Sequence, residues 1–194
     1  MAEAIGIIKD EHRRYRSVLY CLEQVVADLA RNGGEPDFEM FRAVIRYVQE
    51  FLNKFHHPKE DGYLFPALLR RYPAAKSRID RLSQDHRACD ALIGDLAHAM
   101  AVYAQFGDKG FNQFRDAVGK FVAGERAHAL TEEREVLPLA EKYLTARDWA
   151  EINAAFLAHD DPVFGAEPRE EFRRLFSRIV ALAPAPHGLG PARS

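Results

Sequence analysis

The feature that most restricts how this chain can fold is an internal repeat, in which His56, Glu60 and Pro66 recur as His128, Glu132 and Pro138 with the same internal spacings of four and six. The surroundings answer each other as well. Leu64-Phe65-Pro66 matches Val136-Leu137-Pro138, and Asp10-Glu11-His12-Arg13 matches Gln84-Asp85-His86-Arg87. His12 precedes His56 by 44 residues and His86 precedes His128 by 42, so each half reads His, then His-x-x-x-Glu. Residues four apart share one face of an α-helix, which lets each His-x-x-x-Glu turn an imidazole and a carboxylate to the same side.

The remaining pattern supplies the helices. Glycine and proline punctuate the chain at Gly33-Gly34-Glu35-Pro36, Tyr72-Pro73 and Gly107-Asp108-Lys109-Gly110, which predicts helices near 3–31, 38–71, 77–105 and 111–143. Ile5, Ile8, His12, Tyr15, Leu19, Leu22, Val26 and Leu29 paint one stripe down the first helix. Leu82, His86, Cys89, Leu92, Ile93, Leu96 and Met100 do the same on the third. No alternating β pattern competes, so the predicted class is all-α: an antiparallel up-down four-helix bundle over residues 1–145. Thr145 and Asp148 resemble a capping pair in front of Trp149, Ile152, Phe156 and Leu157. A second amphipathic stretch covers about 168–182, so residues 146–183 are expected to pack on the bundle as a helical extension and 184–194 to form a disordered tail.

Helix rise brings the repeat to one level. From His12 to the end of its helix is roughly 27 Å and the return to His56 is the same; the second half runs roughly 29 Å out and 26 Å back. His12, His56, Glu60, His86, His128 and Glu132 should therefore meet inside the bundle. Two buried carboxylates facing each other are costly unless cations lie between them. Two metals bridged by Glu60 and Glu132, one nearest His12 and His56 and the other nearest His86 and His128, remove that cost and leave open positions. Imidazole and carboxylate without thiolate suit iron, manganese or zinc, and a paired site with vacancies suits oxygen chemistry on iron.

The register rests on His56, which lies ten residues before Pro66 as His128 lies ten before Pro138. His57, with Asp61 four residues on, competes for the inward position, but on a regular helix it points about 100° away. It is expected either to support a ligand from behind or to face solvent. Pro58 should introduce a local kink. Glu125, Tyr15 and Tyr63 lie one turn from ligand positions, close enough to approach them. His98, His159 and His187 have no partner in the repeat and are assigned to the surface or to helix ends.

Apolar residues make up 47% and charged residues 29% of the 194, ordinary for a folded globular chain. The net charge of −2 without a dense basic block argues against nucleic acid as a partner. Met1–Glu11 lacks the apolar stretch of a signal peptide and no later segment reaches a membrane span, so a cytoplasmic location is expected. Cys21 and Cys89 read as small buried thiols. Nothing indicates a protein partner or a homo-oligomer.

His12, the run His56-His57-Pro58-Lys59-Glu60-Asp61-Gly62-Tyr63-Leu64-Phe65-Pro66, His86, and His128 to Pro138 together resemble the hemerythrin family, in particular hemerythrin-like cation-binding domains with the H-HxxxE-H-HxxxE pattern. Asp148-Trp149-Ala150-Glu151-Ile152 through Asp161-Pro162 also looks like the extension that follows such domains. The resemblance implies a four-helix bundle with two iron ions, or manganese or zinc in their place, joined by a bridging oxo, hydroxo or water ligand. It implies a protein that binds or senses oxygen, nitric oxide or a small oxidant such as peroxide. A second reading is an enzyme acting on peroxide or nitric oxide, or an iron-holding protein. True hemerythrins carry a fifth histidine four residues after the third-helix ligand, where this chain has Asp90, so reversible oxygen carriage is not implied.

Overall fold

Apolar stripes separated by polar faces leave the chain one way to hide its side chains, and the computed structural model shows it. Residues 3–157, 168–185 and 187–190 are described, and among them there is no strand. Helix α1 (Glu3–Asn32) buries every residue of its predicted stripe. A second helical rod follows from Phe38 to Arg71, made of α2 (Phe38–Tyr47), α3 (His57–Lys59) and α4 (Phe65–Arg71) joined by wide π-helical segments. Then come α5 (Lys76–Phe106), α6 (Asp108–Thr131), a further π segment, and α7 (Leu137–Tyr143). Asp37 caps α2 by accepting the Met40 N–H at 3.0 Å.

Contacts fix how these helices run. Glu11 meets His56 and Asp28 lies toward the far end of α1, while Glu23 pairs with Arg126 and His12 with Glu133. Asn53 meets Asp90 and Asp61 meets His86. Between α1 and the α6 rod, and between the second rod and α5, one position rises along the chain as its partner falls, so these neighbours run antiparallel. The α5–α6 connection is tighter than its glycines suggest. Only Gly107, at φ 58°, breaks the helix, and Gly110 lies inside α6 where a Cβ would come within 2.7 Å of the Tyr103 backbone. Glycine there lets the two helices approach closely.

The expected kink at Pro58 takes a specific form. The π segments Val48–His56, Glu60–Leu64 and Glu132–Val136 each end two residues before a proline, Pro58, Pro66 and Pro138. Proline has no N–H to give to the helix, and a turn widened to i→i+5 bonding accommodates that loss without breaking the rod. The His57, Phe65 and Leu137 N–H groups accordingly donate five residues back, to Leu52, Glu60 and Glu132.

Burial divides into two apolar clusters with a polar layer between them. One contains Tyr15, Leu19, Leu52, Cys89, Ile93 and Val122; the other contains Ile5, Ile8, Leu64, Leu82, Val136 and Phe156. His12, His56, His86 and His128 each fall between a member of one cluster and a member of the other along their own helix. Helix α8 (Ala146–Leu157) packs Trp149, Ile152 and Phe156 into the second cluster, and α9 (Pro168–Leu182) packs Ile179 into the first. From Pro184 the chain, expected to be disordered, turns back on α9: Leu189 N–H donates to Val180 O and Gly190 N–H to Ala183 O, both at 2.8 Å. Unspent backbone carbonyls at the C-terminal end of a helix explain this, and residues 191–194, like His159, lie outside the described residues.

Thr145 and Asp148 do cap α8. Thr145 N–H donates to Asp148 Oδ2 at 2.9 Å, Asp148 N–H to Thr145 Oγ1 at 3.3 Å, and Arg71 Nε reaches the same carboxylate at 2.8 Å. Asp148→Ala is expected to cost about 1–2 kcal/mol, read as a lowered urea midpoint with unchanged slope. An unchanged midpoint would show that α8 docks through its apolar face alone.

Candidate metal centre

The polar layer is built from residues that ordinary protein interiors exclude. His12, His56, Glu60, His86, His128 and Glu132 are all buried, both glutamates at 0% exposure. The structure brings the six predicted residues together and adds a seventh, His57. Their donor atoms form two sets, His12 with His56, Glu60 and Glu132, and His57 with His86 and His128, each set lying within 4.8 Å.

Glu60 lies between the sets. Its Oε1 is 3.1 Å from His56 Nε2 and its Oε2 is 3.3 Å from His86 Nε2. Glu132 Oε2 is 3.2 Å from His12 Nε2. Within the sets, His12 and His56 face each other through Nε2 at 3.1 Å, and His86 and His128 at 3.3 Å. Nitrogens at right angles on one ion, each about 2.1 Å away, stand about 3 Å apart. All four carboxylate oxygens of Glu60 and Glu132 are buried without a hydrogen bond. Orphaned oxygens ringed by imidazole nitrogens are the arrangement that cations satisfy, so this donor set fits metal ions.

Carboxylates face the outward nitrogens in a twofold pattern, three of them at hydrogen-bond distance. His56 Nδ1 donates to Glu11 at 2.8 Å, and the equivalent His128 Nδ1 faces Asp85 at 3.6 Å. His12 Nδ1 donates to Glu133 at 2.9 Å, and the equivalent His86 Nδ1 to Asp61 at 2.8 Å. A proton held on Nδ1 leaves the Nε2 lone pair pointing inward. Each brace is the chain neighbour of a different ligand position, so the helices lock one another's imidazoles. The sequence matches Glu11-His12 with Asp85-His86, but neither brace can be read from it, because a brace acts across helices.

These carboxylates also set the charges. Burial works to lower the His12 pKa, but Glu132 and Glu133 outweigh it and raise it to about 9; for His86, Asp61 and Glu60 do the same against burial, again to about 9. His56 is raised in the same way by Glu60 and Glu11. Glu133, hydrogen-bonded by His12 and paired with Arg16, falls to about 2. His57 goes the other way, pushed down by burial and by the imidazoles of His86 and His56.

Two expectations are corrected, for His57 and for Tyr63. His57 does not face solvent: it is 5% exposed and stacks on His86 with ring centroids 4.0 Å apart. The π segment ending at His56 changes the angle between successive residues, so the 100° step of a regular helix does not apply. Asp90 meets no imidazole, being exposed and bonded to Asn53. Tyr63 is exposed at 50%, whereas Tyr15 and Glu125 are buried beside Cys89, and burial together with Glu125 raises the pKa of both Tyr15 and Cys89. Both cysteines are buried free thiols.

An all-α chain whose helices close around a layer of imidazoles and buried carboxylates is a metal-binding protein by its site. The hemerythrin HHE cation-binding domain matches residues 3–140, and the chain belongs to that family. No curated protein and no solved structure matches it. No helix among the described residues is long and apolar enough to cross a membrane.

Proposed function

We propose that the antiparallel helices form the up-down four-helix bundle of a non-haem di-iron protein that binds or senses oxygen, nitric oxide or a small oxidant such as peroxide. The observation that carries this reading is Glu60, whose two oxygens address the two donor sets separately while neither accepts a hydrogen bond. His12, His56, Glu60 and Glu132 would hold one ion, and His86, His128 and Glu60 the other. Iron held there supplies open coordination positions and one-electron chemistry. The chain supplies the rest. Glu11, Glu133 and Asp61 orient the imidazoles of His56, His12 and His86, and the rings of Phe51 against His56 and Phe65 against His86 keep water from their faces. A cavity of about 180 Å³ at His57 and His86 admits only a small molecule.

Protein from iron-supplied cells should carry about two irons per chain, with a visible spectrum that changes on anaerobic reduction and again on adding nitric oxide. Less than one metal per chain, or zinc alone, would overturn the reading. Sustained consumption of peroxide or nitric oxide, rather than stoichiometric uptake, would identify the protein as an enzyme.

A further inference from the structure

We propose that His57 is the third imidazole of the second donor set, so that the two ion positions differ in kind: two imidazoles and two carboxylates at the first, three imidazoles and one carboxylate at the second. This rests on the di-metal reading and extends it with a residue that stands outside the repeat. The position equivalent to His57 in the second half is Ala129, which is equally buried and offers no donor. The asymmetry is therefore written into the chain.

Three observations converge. First, the His57 ring lies 4.0 Å from His86 and 5.5 Å from His128 by centroids, and its donor atom groups with theirs rather than with the set containing its chain neighbour His56. Second, among the described residues His57 is the one clustered histidine that pairs with no carboxylate, and its ring lies against those of His56, His86 and His128. Three imidazole donor atoms that all lie within 4.8 Å of one another are satisfied together by a shared cation. Third, a cavity of about 180 Å³, bordered by Asn53, Pro58, Arg87 and Asp90, reaches the site where His57 and His86 line it. The unbraced imidazole thus stands at the entrance, at the ion position that a ligand from solvent meets first.

The chemistry of the two positions follows. Carboxylates suit harder ions and imidazoles softer ones, so the first position should take manganese readily and the second should prefer cobalt or zinc. Cobalt(II) serves as a probe because its visible spectrum reports its ligands. Metal-free full-length protein titrated anaerobically with cobalt(II) should bind about two ions. In His57→Ala and in His57→Gln, one ion should bind as in the parent. The other should weaken by at least the roughly 10–100-fold that loss of a supporting partner costs, with a changed spectrum. Free imidazole, small enough for the cavity, should restore the second ion in His57→Ala, an effect that a packing role does not produce. Unchanged affinity and spectrum for both ions in both variants would overturn the assignment of His57 while leaving the di-metal reading intact. A parent that binds only one cobalt would overturn both. Circular dichroism and a denaturation curve on each variant separate a folding defect from ligand loss, and the glutamine variant keeps the site polar if alanine collapses it.

Discussion

Glu60→Ala is expected to leave less than one metal ion per chain, against about two in the parent, and Glu132→Ala to spare one ion where Glu60→Ala spares neither. The difference comes from reach. Glu60 puts one oxygen 3.1 Å from His56 and the other 3.3 Å from His86, so its removal strips a charged donor from both sets at once. Glu132 groups only with His12, His56 and Glu60, and its loss falls on the first set. The groups left behind in Glu60→Ala cannot hold two dications close together, because no carboxylate then addresses both sets. Elemental analysis after gel filtration measures the result, with circular dichroism showing that the helices persist. Equal retention of one ion in both variants would show that neither glutamate bridges. Glu60→Asp, whose shorter arm keeps the charge but reaches only one set, should fall between.

The sequence carried much of this centre, and its limits have physical causes. Spacing of four within a helix and about 43 between helices is a local and regular quantity, so His12, His56, Glu60, His86, His128 and Glu132 could be read as one level, and the stripe of α1 as one face. His57 could not, because the 100° step of a regular helix sets its direction from His56 alone, and a kink expected at Pro58 does not say which way the preceding imidazole turns. Its trace was present: each of the three π segments stops two residues short of a proline, and two of those prolines belong to the repeat. A proline after a ligand helix can be absorbed by a widened turn as well as by a kink, and the widened turn carries a second imidazole inward. The braces were legible only as letters beside ligands. That Glu11 serves His56 and Asp61 serves His86 depends on which helices are neighbours, which no single helix specifies. Side-chain length matters there too, since Glu11 reaches its imidazole at 2.8 Å while the shorter Asp85 stands 3.6 Å from His128. The connection between α5 and α6 failed in the opposite sense. Gly107-Asp108-Lys109-Gly110 has the composition of a loop, yet Gly110 is needed inside a helix for close contact with Tyr103.

Metal loading is expected to tighten steeply as pH rises from about 6.5 to 9, while the metal-free protein loses stability over the same range. His12 and His86 titrate near 9 in the metal-free fold because Glu132 and Glu133, and Asp61 and Glu60, favour their charged forms over the opposition of burial. In the unfolded chain they return to about 6.5. A pKa raised by folding stabilises the fold fully below 6.5, and that contribution disappears as pH climbs through 9. A metal ion takes the opposite view of the same nitrogens, because it binds the neutral imidazole and must displace the proton. His56 is raised as well, so loading both ions at pH 7 should release at least two protons, and combined affinity should rise at least about a hundredfold per pH unit below 9. Titration calorimetry in buffers of different ionisation enthalpy counts those protons directly. Thermal melts of metal-free and loaded protein, run side by side from pH 6 to 9, should diverge, the first falling and the second rising. Loading that releases no protons at pH 7 would mean that the imidazoles are already neutral in the metal-free protein and that the flanking carboxylates orient these rings without charging them.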